Sequence, residues 1–452
     1  MNDYITIIGG GLAGSEAAYQ IAKAGIKVKL YEMKPQKFSP AHTNTNLAEI
    51  VCSNSFKSNL HTNACGLLKE ELRILDSLLI KIADETAVPA GQALAVDREK
   101  FSEKVTETLE KMENIEIIRE EVTNLEELVK DGIVIIATGP LTSDALSKQI
   151  IKITGKDKLA FYDAAAPIIE KESINFDIAF YGNRYEQERE KNETVEDWKK
   201  RISNIKDEAY INLPMNKEEY EQFVNELINA EIVELHEFEK REIFEGCMPI
   251  EIMAKRGIDT LRFGPLKPVG FTDPRIGKRP YAIVQLRQDD EEGTIFNIVG
   301  FQTNLKFGEQ KRVFSLIPGL ENAEFVKYGV MHRNTFINSP KLLNETYQMK
   351  ENKNIYFAGQ ITGVEGYVES ISSGMVVALN VINQMKNKER IVFPKETMIG
   401  ALAKYISTSN EKFQPMNANF GIVPELPERI KDKKVKYSKL SDRAIEIIKT
   451  VI

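Results

Sequence analysis

The start of the chain alternates between strand and helix patterns. Residues 3–8 form a short, apolar and β-branched run, which predicts a buried first strand. Residues 12–24 are rich in alanine and other helix formers, and Gly25 is placed to end that helix. Residues 26–32 alternate between apolar and polar positions, which predicts a second strand. Together these segments predict one βαβ unit, the opening of a doubly wound sheet.

The same patterns predict further elements along the chain. Apolar residues at helical spacing predict helices at 66–81, 97–112, 217–230 and 370–385, with a terminal helix in the lysine-rich tail 426–452. Residues 131–140 have the pattern of a buried strand that runs into a glycine turn, and residues 354–360 repeat it. Two β segments joined by an acidic turn are predicted within 280–303.

The repeated strand and turn near the C-terminus predicts that the two ends of the chain build one domain. The fold class is therefore expected to be α/β, with a Rossmann-like, doubly wound nucleotide-binding domain made of discontinuous chain. The middle of the chain, with a mostly charged stretch at 186–208, predicts an inserted α+β domain. The expected division is 1–180 for the first part of this nucleotide-binding domain, 181–325 for the inserted domain and 326–452 for the second part of the nucleotide-binding domain with the tail.

Composition narrows the class of protein. The chain has 452 residues, of which 42% are hydrophobic and 28% charged, as in an ordinary globular enzyme. The first residues carry no basic region or cleavage site, and no apolar run of membrane-spanning length occurs. We therefore expect a cytoplasmic protein without a membrane anchor. A net charge of −7 weighs against non-specific binding of nucleic acid but allows a local basic patch.

The clearest chemical signal is a GxGxxG turn between the first strand and helix, followed by an acidic residue that ends the second strand. In such a turn, glycines permit a tight bend and close approach of the pyrophosphate, and the acid accepts the ribose hydroxyls. A bare turn without a ligand is the weaker alternative. The residues expected to bind the dinucleotide here are Gly9, Gly10, Gly11, Leu12, Ala13, Gly14 and Glu32.

Two further glycine turns favour FAD over NAD as the dinucleotide. A simple NAD domain does not need a distant C-terminal segment, whereas the flavin end of FAD is commonly reached by one. The additional residues expected near the cofactor are Gly139, Gly359, Gln360 and Gly366.

Two cysteines are candidates for nucleophilic chemistry. Cys52 lies among small polar residues and Cys247 in a Gly-Cys-Met-Pro turn, and neither setting is typical of a core strand. Nearby basic residues favour the thiolate, the nucleophilic form. A small core residue is the alternative for either cysteine, and it is the preferred interpretation of Cys65. With three cysteines, four histidines and no CxxC pair, we expect no metal site and no disulfide scaffold.

A basic stretch at 255–287 is the candidate surface for a phosphate-rich partner. Acidic residues are sparse there although the whole chain is acidic. RNA or a polyglutamylated folate would suit such a surface, and a solvated face is the alternative. The residues expected to contact RNA are Lys255, Arg256, Arg275, Lys278, Arg279 and Arg287.

Long motifs from residue 4 to about residue 435 resemble, almost block for block, the folate- and FAD-dependent tRNA (uracil-5-)-methyltransferases, the TrmFO or Gid family. Among these motifs are GGGLAGSEAAYQIAKAGIKVKLYEMKP, AEIVCSNSFKSN, FYDAAAPI, FEGCMPIEIMAKRG, KRPYAIVQLRQDD, YGVMHRNTFINSP and FAGQITGVEGYVES. The departures lie in 183–208, which is longer than usual, and in PAHTNTN, where many members have a second histidine.

The resemblance implies the reaction and its participants. The carbon donor would be 5,10-methylenetetrahydrofolate, the reductant reduced FAD, and NADH or NADPH would reduce the flavin again. The substrate would be the T-loop uridine of tRNA at position 54, which becomes 5-methyluridine. By position, Cys247 matches the cysteine that attacks uracil C6, and Cys52 matches the one near the flavin. The resemblance leaves the assignment of these two roles open.

Three other functions remain as alternatives. The first is the same chemistry on a uridine of 23S rRNA. The second is a flavin-dependent disulfide oxidoreductase, which the lack of a closely spaced cysteine pair disfavours. The third is a non-catalytic RNA-binding protein on a flavin fold, which the presence of both cysteines and complete glycine turns disfavours.

Overall fold

The fold is given by a computed structural model that describes most of the chain. The described residues are 3–155, 158–164, 166–185, 189–190, 192–203, 210–233, 248–329, 331–409 and 413–451.

Strands and helices alternate through much of this part of the chain. The strands are β1 Tyr4–Ile8, β2 Lys27–Tyr31, β3 Ser55–Ser58, β4 Ala87–Val88, β5 Ala93–Val96, β6 Ile115–Ile118, β7 Val134–Ile136, β8 Lys158–Ala164, β9 Ile168–Glu170, β10 Phe180–Tyr181, β11 Tyr210–Met215, β12 Ala282–Gln288, β13 Ile295–Ile298, β14 Phe325–Lys327, β15 Met331–Ile337 and β16 Ile355–Phe357. The helices are α1 Leu12–Lys23, α2 Ala64–Ile74, α3 Leu78–Glu85, α4 Arg98–Glu110, α5 Leu125–Asp131, α6 Asp144–Thr154, α7 Val195–Ser203, α8 Lys217–Asn229, α9 Ile250–Lys255, α10 Thr260–Phe263, α11 Phe307–Phe314, α12 Ser339–Leu342, α13 Tyr367–Met385, α14 Met398–Ser407 and α15 Lys433–Ile448.

The first sheet is parallel and has the order β16-β7-β1-β2-β6. Its central strand β1 is fully apolar on both faces apart from Thr6, as expected for a parallel strand covered by helices. The returning strand β16 pairs with β7, which confirms that the two ends of the chain build one nucleotide-binding sheet. Helix α1 packs against α13, and the crossing is close because the residue facing Ala13 is Gly374.

The second sheet is antiparallel and has the order β10-β11-β12-β13-β9-β14. Its hydrophobic core is separate from that of the first sheet and is built from residues between Ile169 and Ala323. The two-stranded ribbon of β8 and β15 lies where the chain leaves the first core and returns to it. This arrangement confirms the expected fold class of a Rossmann-like domain with an insertion. The boundaries at 180/181 and 325/326 stay a prediction, and β9 already belongs to the second sheet.

One predicted element is different in the structure. The single helix predicted at 66–81 is two helices, α2 and α3, separated by a short break. Asp76 in the break has a φ of +57°, which ends the first helix. The Ser77 side chain then accepts a hydrogen bond from the N–H of Ile80 and caps the second helix. The leucine spacing continued across this break and hid it.

In the part of the chain that the structure describes, none of the helices is long and apolar enough to cross a membrane.

Candidate active site

The glycine turn after β1 depends on glycine at two positions for different reasons. Gly9 has a φ of +103°, and a Cβ there would lie 2.6 Å from the carbonyl oxygen of Ala137, the residue directly after β7. A Cβ on Gly14 would lie 1.9 Å from the carbonyl oxygen of Gly9, so α1 crosses the turn closely. A Cβ on Gly11 would meet nothing within 4 Å, because that residue faces an open cleft. The first turn of α1 therefore presents its unpaired N–H groups toward this cleft.

Glu32 lies beside the same turn and is nearly buried, with 8% of its surface exposed. One carboxylate oxygen accepts the N–H of Gly10 at 3.0 Å, and the other accepts the N–H of Lys34 at 3.0 Å. A carboxylate has about four acceptor positions. The geometry therefore fixes the orientation of Glu32 and leaves acceptor capacity for the two hydroxyls of a ribose.

The cleft is open to solvent, and the space within it, including the solvent at its mouth, is about 1120 Å³. The lining residues that sequence analysis selected are Gly9, Gly10, Gly11, Leu12, Ala13, Glu32, Gly139, Gly359 and Gln360. Gly14 and Gly366 do not line the cleft. Gly14 packs against Gly9, and Gly366 directly precedes the lining residue Tyr367. Sequence analysis missed several polar lining residues, which are Lys34, His42, Glu49, Thr138, Thr142, Ser143, Tyr367 and Ser370.

The returning segment brings a second helix N-terminus to the cleft. Gly359 has a φ of +80°, and its N–H donates to the hydroxyl of Ser373 on α13 at 2.6 Å. Gly366, with a φ of +126°, begins α13, whose first residue Tyr367 lines the cleft. Helix N-termini attract anions and electron-rich groups through their N–H groups and dipole. A long, open cleft with an acid at one end and two such N-termini fits an extended dinucleotide, and the residues present fit FAD.

One wall of the cleft near Glu32 is a buried ion pair that sequence analysis did not identify. Lys34 Nζ lies 3.1 Å from Glu49 Oε2, with only 5% and 7% of the two side chains exposed. Burial, followed by the charge of Lys34, lowers the pKa of the neighbouring His42. His42 is therefore a neutral imidazole at physiological pH. Its Nδ1 lies 2.5 Å from the hydroxyl of Ser39, so a hydrogen bond joins His42 to the preceding loop.

The loop that carries Cys52 borders the other part of the cleft. The hydroxyl oxygen of Tyr367 accepts the backbone N–H of Cys52 at 2.9 Å and that of Ser53 at 3.0 Å. Burial, and then the proximity of Cys52, raises the pKa of the Tyr367 hydroxyl. Tyr367 is therefore a neutral phenol that ties Cys52 to the N-terminus of α13. Cys52 is partly exposed and Val51 beside it lines the cleft.

Of the other two cysteines, the structure describes Cys65 alone. Cys65 is buried near the start of α2, and burial followed by the charge of Glu369 raises its pKa to about 12. It is thus a thiol in the core at neutral pH. Cys247 lies outside the described residues. Within the described ranges, no group of three or more His, Cys, Asp or Glu side chains is arranged to hold a metal ion.

The basic stretch divides into exposed and buried members. Exposed side chains are those of Lys255, Arg256, Arg275, Lys278 and Arg279. Arg275 is paired with Asp273 at 2.8 Å, and Phe263 on α10 is 80% exposed. Arg287 was expected on the same surface, and the structure corrects this. Only 7% of it is exposed, because its guanidinium donates to Asn54 and Ser53 in the interior.

Comparison with known proteins identifies a family. Residues 4–389 match the family described as Glucose inhibited division protein A. The chain is 60% identical to the protein named Methylenetetrahydrofolate--tRNA-(uracil-5-)-methyltransferase TrmFO of Acetivibrio thermocellus over 453 residues, which covers 100% of this chain and 99% of that protein. It is 58% identical to the protein of the same name from Fusobacterium nucleatum, with coverage of 100% and 99%.

Solved structures support the fold independently. The structure of Aquifex aeolicus GidA in its form II crystal superposes with a TM-score of 0.67 and covers 99% of this chain and 73% of that one. At 16% sequence identity this similarity shows the fold alone.

Proposed function

The chain belongs to the family of methylenetetrahydrofolate–tRNA-(uracil-5-)-methyltransferases named TrmFO, and on that premise we propose that it methylates C5 of a uridine in tRNA. The T-loop uridine at position 54 is the proposed target. The observation that carries this proposal is the position of Cys52, which a cleft residue, Tyr367, holds beside a glycine-lined dinucleotide cleft. The names of the relatives specify tRNA, and the comparisons do not support the ribosomal RNA alternative.

FAD is the dinucleotide that the cleft is proposed to hold. Glu32 would accept the ribose hydroxyls, and the first turn of α1 with Gly11 would receive the pyrophosphate. Tyr367 and the N-terminus of α13 would border the flavin end. When bound and reduced by NADH or NADPH, FAD supplies the hydride that converts the one-carbon unit of 5,10-methylenetetrahydrofolate to a methyl group.

The chemistry at uracil requires a thiolate and a base. Uracil C5 is not nucleophilic until a thiolate adds to C6, so one cysteine forms a C6–S bond and makes C5 electron-rich. C5 would then attack the methylene carbon of the folate, a base would remove the C5 proton, and tetrahydrofolate would leave with the electron pair of its C–N bond. Once the hydride has completed the methyl group, the thiolate would leave and the C5–C6 double bond would re-form. From the matched motifs we assign C6 addition to Cys247 and the position beside the flavin to Cys52, which fits the location of Cys52 next to the cleft.

The exposed basic side chains of the inserted domain are proposed to hold the RNA backbone. Lys255, Arg256, Arg275, Lys278 and Arg279 offer positive charge on a chain with a net charge of −7. Arg287 is not part of this surface. The reaction takes place on tRNA with a reduced pyridine nucleotide, and we place it in the cytoplasm.

The decisive test is a methylation assay on two RNAs. The purified protein is incubated with FAD, methylenetetrahydrofolate and NADPH, together with either a tRNA transcript or a 23S rRNA transcript. We expect 5-methyluridine in the T-loop of the tRNA and none in the rRNA, measured by nucleoside mass spectrometry. Product in the rRNA alone would overturn the tRNA assignment, and a colourless protein that takes up no FAD would overturn the flavoenzyme itself.

A further inference from the structure

The buried guanidinium of Arg287 reaches from the inserted domain into the loop that carries Cys52. Its Nε donates to Asn54 Oδ1 at 2.9 Å and one Nη donates to Ser53 Oγ at 2.9 Å. Asn54 returns a hydrogen bond, because its amide nitrogen donates to the carbonyl oxygen of Gln288 at 2.9 Å. The residues directly after Cys52 are thus bonded to two consecutive residues of β12.

The residue after Gln288 completes the contact on the other side of Cys52. Asp289 is buried, and its Oδ1 accepts Nε of Arg98 at 2.8 Å. Arg98 in turn donates to the carbonyl oxygen of Val51 at 3.2 Å, directly before Cys52. Residues 287–289, the end of β12 and the residue after it, therefore contact the Cys52 loop before and after the cysteine, directly or through one side chain.

This end of β12 is itself firmly placed. Arg287 pairs in register with Tyr210 of β11 on one side and Asn297 of β13 on the other. Because β12 is paired on both edges, its position in the sheet fixes where the Arg287 side chain begins, and therefore where it can hold Ser53 and Asn54. The guanidinium is a planar fork whose donors suit two acceptors at once, which a lysine ammonium on a flexible stem does not reproduce.

We propose that Arg287 is a positioning residue for Cys52, and that residues 287–289 couple the inserted domain to the geometry of the active site. Its side chain does not touch RNA. It fixes Ser53 and Asn54, and through them the direction of the neighbouring thiol. The catalytic part of this proposal rests on the proposed methylation, whereas the effect on the Cys52 thiol does not.

The test compares Arg287→Lys and Arg287→Gln with a matched control, Arg184→Gln. Arg184 is an arginine of the inserted domain that bonds Lys267 O at 3.0 Å and Gln285 Oε1 at 3.2 Å, and it makes no contact with the Cys52 loop. The holoenzyme is alkylated with iodoacetamide over a range of pH, and peptide mass spectrometry separates Cys52 from Cys65 and Cys247. In parallel, kcat and the KM for tRNA are measured, and the flavin absorbance is recorded.

We expect the Arg287 variants to keep FAD and to alkylate Cys52 severalfold faster, because the loop is released. Their kcat is expected to fall on the order of 10- to 100-fold, the cost of a misplaced reacting group, with an unchanged KM for tRNA. The Arg184 variant should show neither change. Should the Arg287 variants fail to fold, Ser53→Ala removes one of the two acceptors and is measured in the same way.

Two results would overturn the proposal. One is an unchanged Cys52 alkylation rate in folded variants. The other is a raised KM for tRNA with an unchanged kcat, which would indicate that Arg287 contributes to tRNA binding and does not position Cys52. If the protein methylates no RNA, the alkylation rates still decide the role of Arg287, so failure of the proposed function and failure of this inference are distinguishable.

Discussion

At two helices, the first backbone N–H groups donate to a buried carboxylate from another helix. Glu71 on α2 is fully buried, and its two oxygens accept the N–H groups of Met398 and Ile399 at 2.7 and 2.8 Å. It therefore caps the N-terminus of α14 from a position 327 residues away in the sequence. Glu16 acts in the same way on α3, where its Oε2 accepts the N–H of Leu79 at 3.0 Å. Burial raises the pKa of Glu71 to about 8.

This pKa gives a pH dependence of stability. Because the pKa of Glu71 rises from 4.5 to about 8 on folding, the folded state binds the proton more tightly. Its contribution to stability is thus fully present below pH 4.5 and is lost as the pH rises toward 8. Each pKa unit corresponds to about 1.4 kcal/mol, so the loss amounts to several kcal/mol.

We expect the melting temperature of the wild type to fall relative to that of Glu71→Gln as the pH is raised between these two values. The glutamine keeps the size of the side chain and does not titrate. Calorimetry of both proteins across the range measures the difference. A difference that is independent of pH would show that Glu71 is ionised throughout.

The cysteines allow a second prediction at this scale. Cys247→Ala should give a yellow protein with bound FAD that no longer methylates tRNA, because the proposed C6 nucleophile is lost. Cys65→Ala is the control, since Cys65 is buried and its thiol does not ionise at neutral pH. Absorbance at the flavin bands and formation of 5-methyluridine are the measurements. Methylation that persists in Cys247→Ala would remove it as the nucleophile.

At the scale of elements, sequence patterns correctly predicted the strands and helices whose signals lie within their own segments. The strand predicted at 3–8 is β1, and the helix predicted at 12–24 is α1, each within a residue or two of its observed ends. Their hydrophobic periodicity and bounding glycines lie within the segment itself. The break at Asp76 was missed because the leucine spacing continues across it, and because Glu16, which binds the Ser77 hydroxyl at the start of α3, lies 61 residues away in the sequence.

In the active site, too, only the features marked by neighbouring residues in the sequence were predicted. The glycine turn and Cys52 were predicted from their neighbours in sequence. The roles of Tyr367 and Arg287 were not, because their partners in the Cys52 loop are more than two hundred residues distant. The signals that were present are a glycine directly before Tyr367 and a charged residue inside the apolar strand AIVQLRQ.

The turn between β1 and α1 predicts contrasting effects for two alanines. Gly14→Ala should lower the melting temperature of the FAD-free protein, because its Cβ would lie 1.9 Å from the carbonyl oxygen of Gly9. Gly11→Ala should leave that temperature unchanged, because its Cβ meets nothing within 4 Å. The same methyl group would occupy the cleft where the pyrophosphate is proposed to lie. We expect it to weaken FAD binding at least about tenfold, equivalent to about 1.4 kcal/mol.

Flavin fluorescence titration and thermal unfolding of the FAD-free protein separate the two effects. Wild-type affinity in Gly11→Ala would show that the phosphates lie away from α1.

At the scale of the whole molecule, charge is unevenly distributed. The chain carries 60 basic and 67 acidic residues, so it repels a polyanion on average. Residues 255–279 of the inserted domain nevertheless expose a series of basic side chains with few acids. Phe263 in the same stretch is 80% exposed, and an aromatic face among cations suits an unstacked base. If residues 255–279 bind RNA as proposed, the long-range repulsion and the local attraction together would favour one orientation of the bound RNA.

The basic surface is tested by removing three of its charges together. Arg275, Lys278 and Arg279 are exposed, and changing all three to glutamine should weaken tRNA binding. Because each phosphate contact releases counterions, the slope of log affinity against log salt should become shallower by about 2–3.

The matched control changes Lys431, Lys433 and Lys434 to glutamine, an equal loss of charge at the start of α15. Filter binding at several salt concentrations measures both variants. Equal losses in the two would mean that only net charge matters, and no loss in the first would make residues 275–279 a solvated face.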